Sequence, residues 1–205
     1  MQDYYQRPEV SNSDLTALKY EIAGVELPDM SEVFAFGNLV DAMLTEPHRV
    51  NTWAKTLDGK PANDFDRAVK MTKAAKADAS FNRLLTNAQF QHVSIRTLDF
   101  DWNGYKFALP ARCKWDFYGH ISGDIKTTAA TTQKQFIDAC HHFDYFRGRA
   151  WYMDVGGTNR DVLIGISKIN FKIFYITIQR GDDLYNAGRA GYTDLALKWH
   201  VLKER

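Results

Sequence analysis

Apolar residues recur at helical spacing up to about residue 88 and then alternate with polar ones, so the chain changes class part-way along its length. Ser11-Asn12-Ser13-Asp14 offers N-caps for a helix that carries Leu15, Leu18 and Ile22 and stops at Gly24. Ser31 is the next capping candidate. The run from Glu32 to Thr45 carries Phe34, Phe36, Leu39, Val40, Met43 and Leu44 before Pro47, enough apolar surface for a largely buried helix. Lys60-Pro61 interrupts the chain, Asp64 to Ala79 reads as a Lys- and Ala-rich helix with a solvated face, and a shorter turn covers Phe81 to Leu85.

Beyond that point the pattern is that of strands. Phe90, Val93, Ile95 and Leu98 lead to Asp101-Trp102-Asn103-Gly104, and Asn-Gly tolerates the positive φ of a tight hairpin turn. Tyr105 to Leu109 is the return strand. After Pro110 a further strand delivers Asp116, the chain turns near Tyr118-Gly119-His120, and it comes back as Ile121 to Lys126. Thr131 to Asp154 reads as one long helix entered through Thr127 and Thr128, Val162 to Ser167 and Ile173 to Gln179 as strands, and Asp182 to Lys203 as a closing helix anchored by Leu184, Leu195, Leu197, Trp199 and Leu202. The fold class is α/β (α+β) in a single domain, with residues 1–88 a helical part and residues 89–205 the sheet-containing core.

Composition narrows the function classes. At 205 residues, 45% apolar and 25% charged, the chain is an ordinary globular domain, and 14% aromatic residues imply an aromatic-rich core. A net charge of +1 means that contact with a polyanion must come from local clusters of Arg and Lys. Cys113 and Cys140 lack C-x-x-C spacing and no signal peptide precedes them, which fits reduced thiols in a cytoplasmic protein. No apolar run approaches the roughly 18 to 20 residues of a membrane helix. Neither a P-loop nor a G-x-S-x-G element is present, and the histidines lack metal-site spacing.

The chemistry concentrates in Arg112-Cys113-Lys114-Trp115-Asp116 and Gly123-Asp124-Ile125-Lys126-Thr127-Thr128. Strand alternation puts Asp124 and Lys126 on one face and turns Ile125 into the core. Two carboxylates beside a lysine suit a hard divalent cation such as Mg²⁺, with the ammonium left to act on a water. The triplet alone reads first as a solvated strand face. Lys70, Lys73 and Lys76 read first as a solvated helix face.

Taken in order, these features resemble the PD-(D/E)XK nuclease superfamily, and within it the phage-type exonucleases similar to exonuclease VIII (the RecE nuclease domain). The resemblance spans nearly the whole chain. It rests on the Ser11 to Leu15 opening, Phe36-Gly37-Asn38-Leu39-Val40 leading to Glu46-Pro47, Arg112-x-Lys114-x-Asp116, Asp124-x-Lys126-Thr127-Thr128, and Tyr145-x-Arg147 followed by Ala150-Trp151-Tyr152-Met153-Asp154.

The resemblance implies a mixed central sheet flanked by helices, and Mg²⁺, with Mn²⁺ as substitute, held by Asp116, Asp124 and the Ile125 carbonyl. Lys126 would orient or activate the attacking water in hydrolysis of a phosphodiester. It further implies double-stranded DNA ends as substrate, a single-strand annealing protein as partner, and a ring-shaped homo-oligomer. Arg112, Lys114, Arg147, Arg149 and Tyr152 become candidates for contact with DNA, Arg112 alternatively for a carboxylate partner and Tyr152 for the core. Two positions depart from the family pattern. Asp41 stands where G-x-x-x-H, counted from Gly37, calls for histidine, and can itself ligate a hard cation. Gly148 stands where a glutamine is expected, which leaves open a catalytically silent module that binds DNA or a host defence or repair protein.

Overall fold

The computed structural model describes residues 4–26, 29–55 and 62–203; the Lys60-Pro61 break lies outside them. After a 3-10 turn at Tyr4–Gln6 come helices α1 (Asn12–Ala23), α2 (Ser31–Thr45), α3 (Val50–Lys55), α4 (Ala62–Ala77) and α5 (Ala79–Leu85), with a second 3-10 turn at Pro47–Arg49 between α2 and α3. Strands β1 (Gln89–Phe90), β2 (Val93–Trp102), β3 (Tyr105–Lys114), β4 (Phe117–Tyr118) and β5 (Ser122–Thr128) follow. Helices α6 (Gln133–His142) and α7 (Tyr145–Gly156), strands β6 (Arg160–Ser167) and β7 (Ile173–Gln179), and helix α8 (Asp183–Lys203) complete the order.

Local chemistry accounts for most boundaries. Ser11 and Asp14 form a reciprocal capping box at the start of α1, and Gly24 ends that helix at φ 63°. Ser31 is not a cap: Met30 holds that position, and Ser31 is the first helical residue, its N–H bonded to Asp29 Oδ1 at 2.9 Å. Helix α2 buries Phe36, Leu39, Val40 and Ala42 but leaves Phe34 63% exposed, so it is buried on one face only.

Asn103 (φ 51°) and Gly104 (φ 88°) make the hairpin turn as the sequence suggests. Pro110 does not break the return strand, and β3 continues to Lys114. Its carbonyl accepts the Val10 N–H at 2.8 Å on the side away from β2, so the missing proline N–H also lies on that side and no β2–β3 bond is lost.

Two further expectations are corrected. Asp116 sits at a bend between β3 and β4, outside either strand. The helix over Thr131 to Asp154 is two helices: α6 is capped by Thr132, not by Thr127 or Thr128, which belong to β5, and Asp144 at φ 58° separates it from α7.

The sheet has the order β1-β4-β5-β6-β7, with β5 and β6 parallel and the other pairs antiparallel, and β2–β3 forms a separate ribbon. Helices cover both faces of this mixed sheet. Val162, Ile164, Ile166 and Ile125 pack under α2, α4 and α5 with Phe36, Leu39, Met71 and Phe81. Leu163 and Ile176 face the aromatic core of α6, α7, α8 and the β2–β3 ribbon, built on Trp115, Phe136, Trp151 and Tyr192. On α8 the buried anchors are Tyr185, Tyr192 and Leu195, while Leu202 is 55% exposed. Among the described residues no helix is long and apolar enough to cross a membrane.

Candidate metal and phosphodiester site

Strand β5 is the platform. Its Ile125 joins the core, and its Asp124 and Lys126 emerge together on the opposite face. Strand β4 pairs with β5 only at Phe117↔Gly123. That pairing needs a glycine, since a Cβ at Gly123 would fall 2.1 Å from the Val162 carbonyl and 2.4 Å from the Phe117 ring. Beyond it the edge of β5 has no strand partner, and Asp116 takes the place of one: its Oδ2 accepts the Ile125 N–H at 2.7 Å. Within a strand the N–H and C=O of one residue point to the same side, so the Ile125 carbonyl is offered on the same edge.

Helix α2 brings Asp41 to this edge from the other layer. Thr45 Oγ1 donates to Asp41 Oδ1 at 3.1 Å and Gln91 Nε2 to Asp41 Oδ2 at 2.8 Å. Gln91, at φ 54°, also donates its backbone N–H to the Asp116 carbonyl at 3.2 Å, so one residue ties the two acidic segments together. Nothing in the sequence marks Gln91; it sits in a short polar stretch between β1 and β2.

Burial and crowding set the electrostatics. Asp116 is pushed well above the ordinary carboxylate range by burial and then by Asp124 and Asp41. Asp41 rises to about 6, mainly by burial, with Asp124 and Glu46 adding to the rise and the Thr45 hydroxyl and Lys126 opposing it. Burial works against the Lys126 ammonium, but Asp124 and Asp116 outweigh it and hold its pKa above the ordinary value. Lys126 Nζ forms an ion pair with Asp124 Oδ2 at 2.5 Å and lies 5.5 Å from the centre of the Tyr145 ring. The other oxygen of Asp124 is 3.3 Å from Arg149, which is in turn clamped to the buried Asp161 by bonds of 2.9 and 2.7 Å. A chain of alternating charge therefore runs from Asp161 through Arg149 and Asp124 to Lys126.

Several residues expected at a DNA surface are engaged inside the protein. Arg112 is buried, donates to the Arg7 carbonyl at 2.7 Å, pairs with Asp14 at 3.3 Å and stacks on Tyr4, which bears out its carboxylate-pairing alternative. Arg147 is buried between α7 and α1, bonded to Asp144, Asn12 and Thr16 at 2.7, 2.9 and 2.7 Å. Arg149 is spent on its two aspartates. Tyr152 is half-buried, its ring 4.3 Å from the Arg149 guanidinium and edge-on to Trp115, so it packs against the residue that restrains Asp124. Lys114 is half-buried beside the rings of Tyr4 and Tyr5, at 5.7 and 5.5 Å. The gap at Gly148 is filled from α1: a Cβ there would lie 3.0 Å from Asn12 Nδ2, so an amide from a different helix occupies the space beside this glycine.

The donors are carboxylates and a carbonyl, the set a hard cation prefers, and their mutual repulsion is what such an ion relieves. Among the described residues, however, no three His, Cys, Asp or Glu side chains stand close enough together to form a ready-made chelate. Both thiols are raised to about 12 by burial, so Cys113 and Cys140 stay protonated at neutral pH and are not nucleophiles. Two open cavities, of about 580 and 560 Å³, lie elsewhere and are lined by none of Asp116, Asp124 and Lys126.

No family model matches the chain, and no curated protein matches it. Among solved structures it is similar to one described as "Crystal structure of SSO0001", at 14% identity and TM-score 0.42, covering 98% of this chain and 89% of that one.

Proposed function

We propose that the protein is a metal-dependent deoxyribonuclease of the PD-(D/E)XK type, an exonuclease acting from duplex ends in phage or prophage recombination. The observation that carries this reading is that Asp116 and Asp41 come to the strand-free edge of β5 beside the face that carries the paired Asp124 and Lys126. Asp116, Asp124, the Ile125 carbonyl and Asp41 would hold Mg²⁺ or Mn²⁺, which supplies Lewis acidity that lowers the pKa of a water and steadies negative charge on a phosphate. Lys126, kept charged by its aspartates, orients the water or receives the developing charge. Asp116 and Asp41 must be ionised to serve as ligands, so activity rises with pH as these raised groups deprotonate.

Digestion of end-labelled linear and closed circular duplex with Mg²⁺ or Mn²⁺ tests the reading against the Lys126→Ala variant. Loss of linear DNA alone, abolished in the variant, is the expected result; cleavage of neither substrate by folded wild type overturns it.

A second reading draws on one specific observation. Asp124 is already held by Lys126 and Arg149, and Gly148 offers no polar group of its own. That charge balance favours a non-catalytic module binding DNA or a host protein, for which no Mg²⁺-dependent stabilisation is expected.

A further inference from the structure

A second charged cluster lies where the last turn of α7, the first turns of α8 and one face of β2 meet. There the cavity of about 580 Å³ is lined by Arg96, Arg180 and Arg189 together with Asp154, Tyr185 and Tyr192. Asp154 is heavily committed: it accepts the Tyr185 hydroxyl at 2.7 Å, the Tyr192 hydroxyl and Arg180 Nη1, and lies 3.5 Å from Arg189 Nε. Arg180 is fixed as a wall, because its other terminal nitrogen donates to the Met153 and Thr158 carbonyls at 3.0 Å each.

The two remaining guanidiniums are held more lightly. Among its described contacts Arg96 reaches only the Asp154 carbonyl, at 3.3 Å. It lies over Gly157, where φ is 68° and a Cβ would stand 2.6 Å from Arg96 Nη2. The Arg189 side chain is 55% exposed, lies 3.5 Å from Asp154 and also meets the Tyr192 hydroxyl. Asp99 borders the cavity, but alternation along β2 turns its side chain away from the face that carries Arg96 and the buried Leu98 and Phe100. Around the cavity three guanidiniums therefore outnumber the carboxylates of Asp154 and Asp99, a local excess of positive charge in a molecule whose net charge is +1.

We propose that this cavity binds a phosphate group, gripped between Arg96 and Arg189 against the fixed wall of Arg180. Planar guanidinium forks match phosphate oxygens in pairs and give up hydration more readily than ammonium groups. The cavity exceeds one phosphate, so the group can be carried by a free phosphate compound or by a nucleic-acid backbone. The inference does not depend on hydrolysis at Lys126.

Calorimetric titration of the full chain, without divalent cation and at fixed ionic strength, tests it with two probes: inorganic pyrophosphate and a short oligothymidylate. At least one probe should bind wild type, with affinity falling about tenfold in Arg189→Gln and binding lost when Arg96→Gln is added. Pyrophosphate binding identifies a free phosphate compound as carrier, and oligonucleotide binding alone identifies a nucleic-acid backbone. The proposal is overturned if neither probe binds folded wild type, or if binding survives in the double variant. An unchanged thermal melt of the variants in buffer alone separates lost binding from lost folding.

Discussion

Asp41 is the residue whose environment speaks most directly about the site. Its folded-state pKa of about 6 stands above the ordinary 3.8, so the folded protein holds that proton more tightly than the unfolded chain does. Stability contributed by the protonated form is complete below 3.8 and lost as pH rises towards 6, and Asp116 shifts in the same direction. Asp41→Asn keeps an oxygen for the neighbouring donors and removes a charge. It should stabilise the metal-free protein by about 1–3 kcal/mol near pH 7 and by much less near pH 4, as measured by urea unfolding at the two values. Added Mg²⁺ should raise the melting temperature of wild type near pH 8 but less near pH 5, where Asp41 carries its proton and Asp116 is shifted in the same direction. An equal effect at the two pH values would mean that the ion binds elsewhere.

Between elements, the contact of α1 with α7 explains why arginines that the chain order assigns to DNA are buried. Arg147 reaches across to Asn12 and Thr16, and the capping box at Ser11 holds that end of α1 in place. Arg147→Met leaves those acceptors unsatisfied and should lower unfolding stability by about 2–3 kcal/mol. An arginine that only met a phosphate would leave the denaturant midpoint unchanged. Helices α7 and α8 meet closely at Gly188, where a Cβ would fall 2.3 Å from the Phe146 carbonyl. Gly188→Ala must push the pair apart and should cost about 1–3 kcal/mol, readable as a lower melting temperature.

For the molecule as a whole, the buried Arg149–Asp161 pair joins the core to the site, because the same guanidinium also restrains Asp124. Asp161→Asn leaves a buried cation short of a partner, a change that typically costs about 3–5 kcal/mol. Arg149 should then lean on Asp124, so the variant is expected to lose Mg²⁺-dependent stabilisation as well as unfolding stability. A loss of stability alone would make the pair purely structural.

How much of this was legible beforehand follows from what each feature depends on. The caps at Ser11 and Gly24, the Asn103-Gly104 turn, β6, β7 and the shared face of Asp124 and Lys126 are set by backbone preferences and by period two or 3.6. Those properties act between near neighbours, and the sequence carries them in full. The division of the 131–154 region at Asp144, and the passage of β3 through Pro110, turn on which backbone groups find partners across the fold. The same holds for Gln91 between Asp41 and Asp116, Asn12 beside Gly148, and the arginines of the α7–α8 cavity. Each is a contact between segments distant in sequence, and a side chain's charge or amide does not disclose whether its partner will be solvent, a ligand or another helix. Residue types and local periodicity thus fixed which groups were available to the site, whereas burial and long-range pairing in the folded chain decided which of them are committed elsewhere.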